Sequence, residues 1–509
     1  MTRHRITLRE ALADPELLGG TLSGDSWRTW KILLIAAMGE KLDNSERDTF
    51  KQITGREREP LQRVEELAAV VGRRGGKSRA IATTAAYIGG LCEHPALVPG
   101  ETGIVLCIAP DQRQATITLD YCTAAFQASP ILRQLVASRT SDALTLTNGI
   151  SIEVRAASFR RLRGPTYVAV IADEAAFWMS DESTNPDSEI LAACRPGLAT
   201  TRGLLVIISS PYAKRGELWS LYSRHFGPNG DPLVLVAQGS SRTFNPTLSQ
   251  GVVDRAYERD PISAAAEYGG AFRSDIEALI VNREAVEQCI ATSVFERPPQ
   301  LGMHHYVAFC DPSGGSQDSM TCAVAHVESN GVVIDALREV KPPFSPEIVV
   351  SEFCALLKSY NVYSISGDRY AGEWPREQFR KFNVIYEPCD KSKSELYVEL
   401  LPLLNSKRVD LLDHPRLINQ LLGLERRTAR SGRDSIDHPP GQHDDVANAC
   451  AGVCAVATRY GAYDLLYQGW NEPDDRPVED DWHAQRARRY HADLLRRYGP
   501  PVPLPMVRP

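Results

Sequence analysis

With 509 residues, 43% of them hydrophobic and 24% charged, the chain has the composition of an ordinary soluble protein and the length for more than one domain. A net charge of −7 excludes a surface coated in nucleic acid, so any contact with DNA has to use a local basic patch. No apolar run suits a bilayer-spanning helix and no secretory leader pattern is present, so a cytosolic protein is expected; the eleven scattered cysteines form no C-x-x-C pair and read as buried thiols.

Residues 1–55 read as a helical lead-in. Trp27 to Met38 has helical spacing of apolar residues, which suits a helix packed on a core; the sharper reading sets it beside the adenine of a nucleotide. A first large domain is expected over 56–275. Ala68 to Val71 is an apolar run of the buried parallel-strand kind, and it breaks into a glycine- and arginine-rich loop that ends in Gly76, Lys77 and Ser78 before a helix-forming stretch. Strand, loop and helix in that order make an anion site. Loop N–H groups and the helix dipole hold phosphates, Lys77 reaches the terminal ones, and the Ser78 hydroxyl sits on a magnesium ion. Val71 stands where the consensus has its first glycine, and Gly72, Gly75 and Gly76 supply the flexibility instead.

Gly103 to Pro110 is a second buried strand leading into a helix, and 151–155 a third. Arg155, Arg160, Arg161 and Arg163 then crowd together, either as a phosphate or DNA patch or as a solvated loop. Tyr167 to Asp173 is an apolar strand that ends in Asp173 and Glu174. Downstream of a Gly-Lys-Ser loop, this pairing gives a magnesium-holding Asp173 and, in Glu174, a general base for water attacking the γ-phosphate. The strand from Leu204 ends in Ser209, Ser210 and Pro211. The carboxyl ends of parallel strands face the ligand crevice, so both serines belong beside the γ-phosphate; a plain turn is the alternative. Leu233 to Ala237 closes the sheet, and Asn245 to Arg273 is helical and charged.

Residues 276–302 read as a linker marked by Pro298 and Pro299. A second domain is expected over 303–465. Its strands include Tyr306 to Asp311, an antiparallel pair over 321–336, and Val362 to Asp368; a helix begins near Asp444 and Asp445. Asp311, Asp368 and one or both of Asp444 and Asp445 could each merely cap a turn or helix. Arriving in this order on strand, strand and helix start, they suit a ribonuclease-H-like set of carboxylates around two divalent ions that activate water against a phosphodiester. Asp318, Glu373, Asp434, Asp437 and His443 are outlying candidates. Residues 466–509 are acidic, then basic, then proline-rich, and read as a flexible tail or a docking peptide.

Together the arginine-bearing Gly-Lys-Ser loop, the Asp-Glu strand, the Ser-Ser-Pro strand end and the acids Asp311, Asp368, Asp444 and Asp445 resemble the large terminase subunit of tailed bacteriophages, from about Trp27 to about Tyr460. The connecting text is similar too, with Ala109-Pro110 and Gln114-Ala115, and Gly367 to Trp374. The resemblance implies an α/β chain: a P-loop ATPase of the additional-strand class joined to a ribonuclease-H-like nuclease with a mixed sheet. By position, Arg73, Gly75, Gly76, Lys77, Ser78, Asp173, Ser209 and Ser210 would bind ATP and Mg²⁺, and Glu174 would be catalytic. Asp311, Asp368, Asp444 and Asp445 would hold Mg²⁺ or Mn²⁺ for cutting. The resemblance also implies double-stranded DNA, a portal protein and a small terminase subunit as partners. It implies a homo-oligomeric ring, pentameric in the family, on a procapsid in the bacterial host cytoplasm. Arg133, Arg139 and Arg160 to Arg163 are candidates for a trans-acting arginine. The alternative is a helicase-like or recombination ATPase whose second domain binds without cutting.

Overall fold

Residues Glu66–Val71 divide their side chains between two cores, with Leu67, Ala69 and Val71 in one and Ala68 and Val70 in the other. Alternation with both faces apolar is what a strand inside a doubly covered sheet requires. The computed structural model describes residues 3–4, 6–158, 162–178, 186–280, 282–369, 373–428 and 434–468. In it Glu66–Val71 (β1) joins Gly103–Ala109 (β2), Val136–Arg139 (β3), Ala143–Leu146 (β4), Ile150–Ala156 (β5), Tyr167–Asp173 (β6), Leu204–Ser209 (β7) and Val234–Gly239 (β8) in one sheet. The order is β8-β1-β7-β6-β2-β5-β4-β3. All pairings from β8 to β5 are parallel, and β4 and β3 extend the far edge as antiparallel strands. One strand, β7, separates the Gly-Lys-Ser strand from the Asp-Glu strand, which is the additional-strand arrangement. The β3–β4 pair was not expected; each strand is four residues long and β3 is mostly exposed, so only the alternation of β4 could have signalled it.

The stretch read as a linker is structured in part. Ile276–Ala278 (β9) pairs antiparallel with a strand near residue 426, Arg283–Glu287 is helical, and Ile290–Ala291 (β10) pairs in parallel near residue 411. Both partners lie more than a hundred residues downstream, so no local periodicity announces them.

The second large sheet is built from Tyr306–Asp311 (β11), Met320–Glu328 (β12), Gly331–Val340 (β13), Ser364–Gly367 (β14), Ile385–Pro388 (β15) and Val409–Leu412 (β16), with β10 at its edge. Its order is β10-β16-β13-β12-β11-β14-β15. β11, β12 and β13 run antiparallel, whereas β14 and β15 run parallel to β11. An antiparallel meander followed by parallel strands on the far side of its first member is the ribonuclease-H-like topology. Met320, Cys322 and Val324 face one core and Ala323 and Ala325 the other. A three-stranded antiparallel sheet joins β9, Glu425–Thr428 (β17) and Asp434–Asp437 (β18).

The helix Asp445–Gln468 lies against β11 through Gly452, where an added Cβ would come within 2.4 Å of the Phe309 ring. That close approach sets the start of the helix beside Asp311. All eleven cysteines are buried and none is in a disulfide. Among the described residues no helix is long and apolar enough to cross a membrane.

Candidate nucleotide and metal sites

Gly76 takes the left-handed conformation, φ 86°, at the start of the Lys77–Leu91 helix, and a Cβ there would stand 2.8 Å from the Trp27 ring. Beneath the loop, the Trp30 indole N–H donates to the Gly75 carbonyl at 2.7 Å. The Arg28–Ala37 helix therefore braces the phosphate loop from inside the core. On the other side the Ser241 hydroxyl and the Asn245 amide donate to the carbonyls of Arg73 and Arg74, at 2.6 and 2.8 Å. Arg73 itself pairs loosely with Glu267, 3.6 Å away.

Lys77 is 6% exposed, and its ammonium lies 2.8 Å from Ser210 Oγ, 3.1 Å from Glu174 Oε1 and 3.1 Å from the Val71 carbonyl. Glu174 has φ 50°, a conformation that costs a non-glycine residue about 1–3 kcal/mol. The turn aims its carboxylate at β7, where Oε2 accepts from Ser209 Oγ at 3.0 Å and Ser210 N–H at 2.9 Å. Ser78 Oγ stands 3.4 Å from Asp173 Oδ2. Asp173 is buried, and its Oδ1 has no hydrogen-bond partner. Burial first, then the neighbouring Glu174 charge, pushes the Asp173 carboxyl up to about 7. A hydroxyl beside an incompletely satisfied buried carboxylate is a donor set that fits a hard divalent cation.

In the second sheet one amide gathers two acids. Asn448 Nδ2 donates to Asp311 Oδ2 at 2.8 Å and to Asp368 Oδ2 at 2.9 Å, so the two carboxylates meet within the span of two hydrogen bonds. Gly367, just before Asp368, leaves no room for a Cβ, which would fall 2.3 Å from the Tyr386 hydroxyl; that hydroxyl donates to the Asp368 carbonyl at 2.7 Å. Burial pushes Asp311 well above the usual carboxylate range; the Asn448 bond opposes this, and the charges of Asp368, Asp445 and Asp444 add to it in that order. Burial, and then Asp444, raise Asp445 to about 6. Negative charge gathered this closely fits divalent cations, which would relieve it.

Asp444 and Asp445 turn to different neighbours. Asp444 is held by the Tyr397 hydroxyl at 2.8 Å and by Lys393 at 3.1 Å, and Lys393 also binds Asp437 at 2.7 Å. Burial works against the Lys393 charge, but the two aspartates outweigh it and raise Lys393. Asp445 accepts from Ser319 N–H at 3.3 Å, and its carbonyl accepts from Thr321 Oγ1 at 2.8 Å. Asp437, His438 and Asp444 also bring ligand atoms within 4.8 Å of one another.

A third polar centre joins the two regions. Glu425, fully buried on β17, accepts from the Tyr212 hydroxyl at 2.9 Å and from Arg215 and Arg427 at 2.7 and 3.1 Å. Tyr212 follows Pro211 directly, so the chain leaving Ser209 and Ser210 is anchored on a carboxylate of the C-terminal region. Burial, then the charge of Glu425, pushes the Tyr212 phenol up to about 12.

The structure thus groups Lys77, Ser78, Asp173, Glu174, Ser209 and Ser210, and separately joins Asp311 to Asp368, with the charges of Asp445 and Asp444 acting on Asp311. Asp318 reaches His443 at 3.5 Å, and Asp437 enters through Lys393. Glu373 and Asp434 instead pair with Arg376 and Arg426 and join neither group. Arg139 pairs with Asp120. Arg160, Arg161 and the tail from residue 469 lie outside the described residues. Sequence reasoning missed Asn448, Lys393, Tyr397 and Glu425. Asn448 had a signal, since it follows Asp444 and Asp445 by four and three residues and so shares their helical face.

No protein-family model matches the chain, and no curated protein matches it in sequence. Among solved structures it is similar to the large terminase of bacteriophage HK97, at 16% identity over 85% of this chain and 100% of that one, with a TM-score of 0.38. A second is the large terminase nuclease of thermophilic phage G20c with bound magnesium, at 17% identity over 35% of this chain and 96% of that one, TM-score 0.30. A third is the large terminase of another thermophilic bacteriophage in complex with ADP, at 10% identity over 78% of this chain and 94% of that one, TM-score 0.34. All three are large terminases of bacteriophages, and none of the three exceeds 17% identity or a TM-score of 0.38.

Proposed function

We propose that the chain packages viral or prophage DNA: it hydrolyses ATP to drive double-stranded DNA into a procapsid and cuts concatemeric DNA with a metal-dependent endonuclease. The observation that carries this reading is the presence, in one chain, of a Lys77–Glu174–Ser210 cluster on a parallel sheet and an Asp311–Asn448–Asp368 cluster on a second sheet.

At the first site the Gly72–Gly76 loop and Lys77 bind the phosphates of ATP. Ser78 and Asp173 hold Mg²⁺, which screens phosphate charge when bound. Glu174 orients and deprotonates the attacking water. A terminal phosphate competes with Glu174 for the Lys77 ammonium, so nucleotide binding loosens one of the bonds that hold the base. Ser209 and Ser210 keep the others, and through them β7 senses the state of the γ-phosphate.

At the second site Asp311, Asp368 and Asp445 hold divalent cations, Mg²⁺ or Mn²⁺, which activate water and stabilise the leaving oxygen when bound. Asp445 is preferred to Asp444 because its charge acts more strongly on Asp311, while Asp444 is engaged by Tyr397 and Lys393. Asn448 keeps the two strand acids together, and Lys393 supplies a cation at the edge of the site for the phosphodiester. A portal protein, a small terminase subunit and a pentameric ring of this chain on the procapsid complete the reading.

The test crosses two substitutions in the full-length protein. Lys77→Ala should abolish DNA-stimulated ATP turnover and leave Mn²⁺-dependent nicking of supercoiled plasmid, and Asp311→Ala should do the reverse. If wild-type protein leaves the plasmid supercoiled with manganese, the second domain binds without cutting. If both activities survive both substitutions, the site assignment is wrong.

A further inference from the structure

A group of side chains that offer metal-ligand atoms lies at the other end of β11 and β12 from Asp311. Tyr306, at the start of β11, is the register partner of His326, and His304 lies two residues before it in the segment that enters the strand. His326 and Glu328, two apart on β12, share a face, and His304 meets it from the segment before β11. Each offers one ligand atom, and the three atoms lie within 4.8 Å of one another. The imidazoles of His304 and His326 face each other, with centroids 4.0 Å apart, and His326 Nε2 is 3.2 Å from Glu328 Oε1.

The backbone adds a fourth component. Between the pairs Val324↔Ala336 and Ala325↔Ile334 the register of β12 with β13 slips, and Asp335 is the extra residue. Such bulges re-aim a side chain. Here the bulge brings Asp335, 1% exposed, to His326, with Oδ2 2.7 Å from Nδ1. A carboxylate on the far nitrogen of an imidazole fixes the tautomer that leaves Nε2 as a lone-pair donor, which is the usual support of a metal-binding histidine.

We propose that His304, His326 and Glu328 bind one zinc-class dication, with Asp335 as the positioning residue behind His326 and solvent in the remaining coordination position. Glu328, with a side chain half exposed, opens the site to solvent. Two imidazoles and one carboxylate favour zinc, cobalt or nickel, whereas the all-oxygen cluster at Asp311 favours magnesium or manganese, so donor chemistry separates the two sites. Ligand atoms around a tetrahedral zinc-class ion stand roughly 3.3 Å apart at bond lengths of about 2 Å, a contraction that side-chain rotation supplies. Asp311 is at the far end of β11, five residues or about 17 Å from Tyr306, so the ion takes no part in cleavage. It clips the segment entering β11 onto the β12–β13 hairpin.

The full-length protein, stripped with a chelator and held in excess Mg²⁺ to fill carboxylate sites, is titrated with Co²⁺ while the visible ligand-field spectrum is recorded. One equivalent with the intense bands of a low-coordinate, nitrogen-ligated ion is expected. His304→Ala and Glu328→Gln should each weaken it at least about tenfold, and Asp335→Asn about 10–100-fold. Asp311→Asn should leave it intact, and Zn²⁺ should raise the melting temperature of the wild type but not of His304→Ala. Glu328→Gln, at a half-exposed position, serves if His304→Ala fails to fold. Absence of such an equivalent overturns the proposal, as does one that persists in both His304→Ala and Glu328→Gln or disappears in Asp311→Asn.

Discussion

Asn448→Ala should destabilise the metal-free protein more at high pH than at low pH. The amide donates two hydrogen bonds to carboxylates, at 2.8 and 2.9 Å. Bonds to charged groups contribute about 1.5–3 kcal/mol each, so the pair is worth about 3–6 kcal/mol, and water entering the vacated volume recovers part of that. A net loss of about 2–3 kcal/mol corresponds to a fall of about 4–12 °C in the melting temperature of a region of this size. Asp311 already has a folded-state pKa raised well above 3.8, and losing the amide raises it further. An acid with a raised folded pKa has no effect on stability while it is protonated in both states, below about 3.8. It destabilises the fold progressively as pH rises from there to the folded pKa, and by a constant amount above it. The deficit of the variant should therefore be small near pH 4 and largest at pH 8. Scanning calorimetry in EDTA at both pH values measures it, and Mn²⁺ at pH 8 should shrink it by neutralising the acids. An equal deficit at pH 4 and pH 8 would mean that Asn448 acts only by packing.

Gly76→Ala forces a side chain into a left-handed position and against Trp27, 2.8 Å away; a loss of about 1–3 kcal/mol and weakened nucleotide binding are expected, read by thermal shift with and without ATP. An unchanged melting temperature would count against the bracing of the loop by the Arg28–Ala37 helix. Because Asp173 stands near 7 and must be ionised to hold Mg²⁺, the apparent Mg²⁺ affinity in ATP turnover should climb about tenfold per pH unit below 7 and level off above it. A flat profile from pH 6 to 8 would remove Asp173 from the cation. Glu425→Ala strips the acceptor from Tyr212, Arg215 and Arg427. Since the two guanidiniums are 36% and 33% exposed, the cost is put at about 2–3 kcal/mol, below the roughly 3–5 kcal/mol of breaking a fully buried pair. A change under about 0.5 kcal/mol by urea denaturation would show that solvent replaces these bonds.

Much of the fold was legible because its strands are short apolar runs that end in chemistry-bearing residues. β6 stops at Asp173, β7 at Ser209 and β11 at Asp311, each where a parallel or central strand presents its carboxyl end to a crevice. The residues that escaped notice act through partners remote in sequence. β9 and β10 are too short to show a period, and Glu425 in its own stretch looks like a surface charge. Only the arrival of Tyr212 and Arg215, more than two hundred residues earlier in the chain, makes it a buried joint. Lys393 likewise reads as a solvated helix residue until Asp437 and Asp444 close on it from two later elements. These misses share one cause: a charge is stable in a protein interior only when its counter-charges are assembled around it, and that assembly is a property of the tertiary fold. Glu425 is the sharpest case, because its register partner on β18 is Asp437 and Asp437 in turn holds Lys393 against Asp444. The strand pair that receives the chain after Ser210 thus also carries a support of the carboxylate cluster, and both sites draw their geometry from the same small sheet.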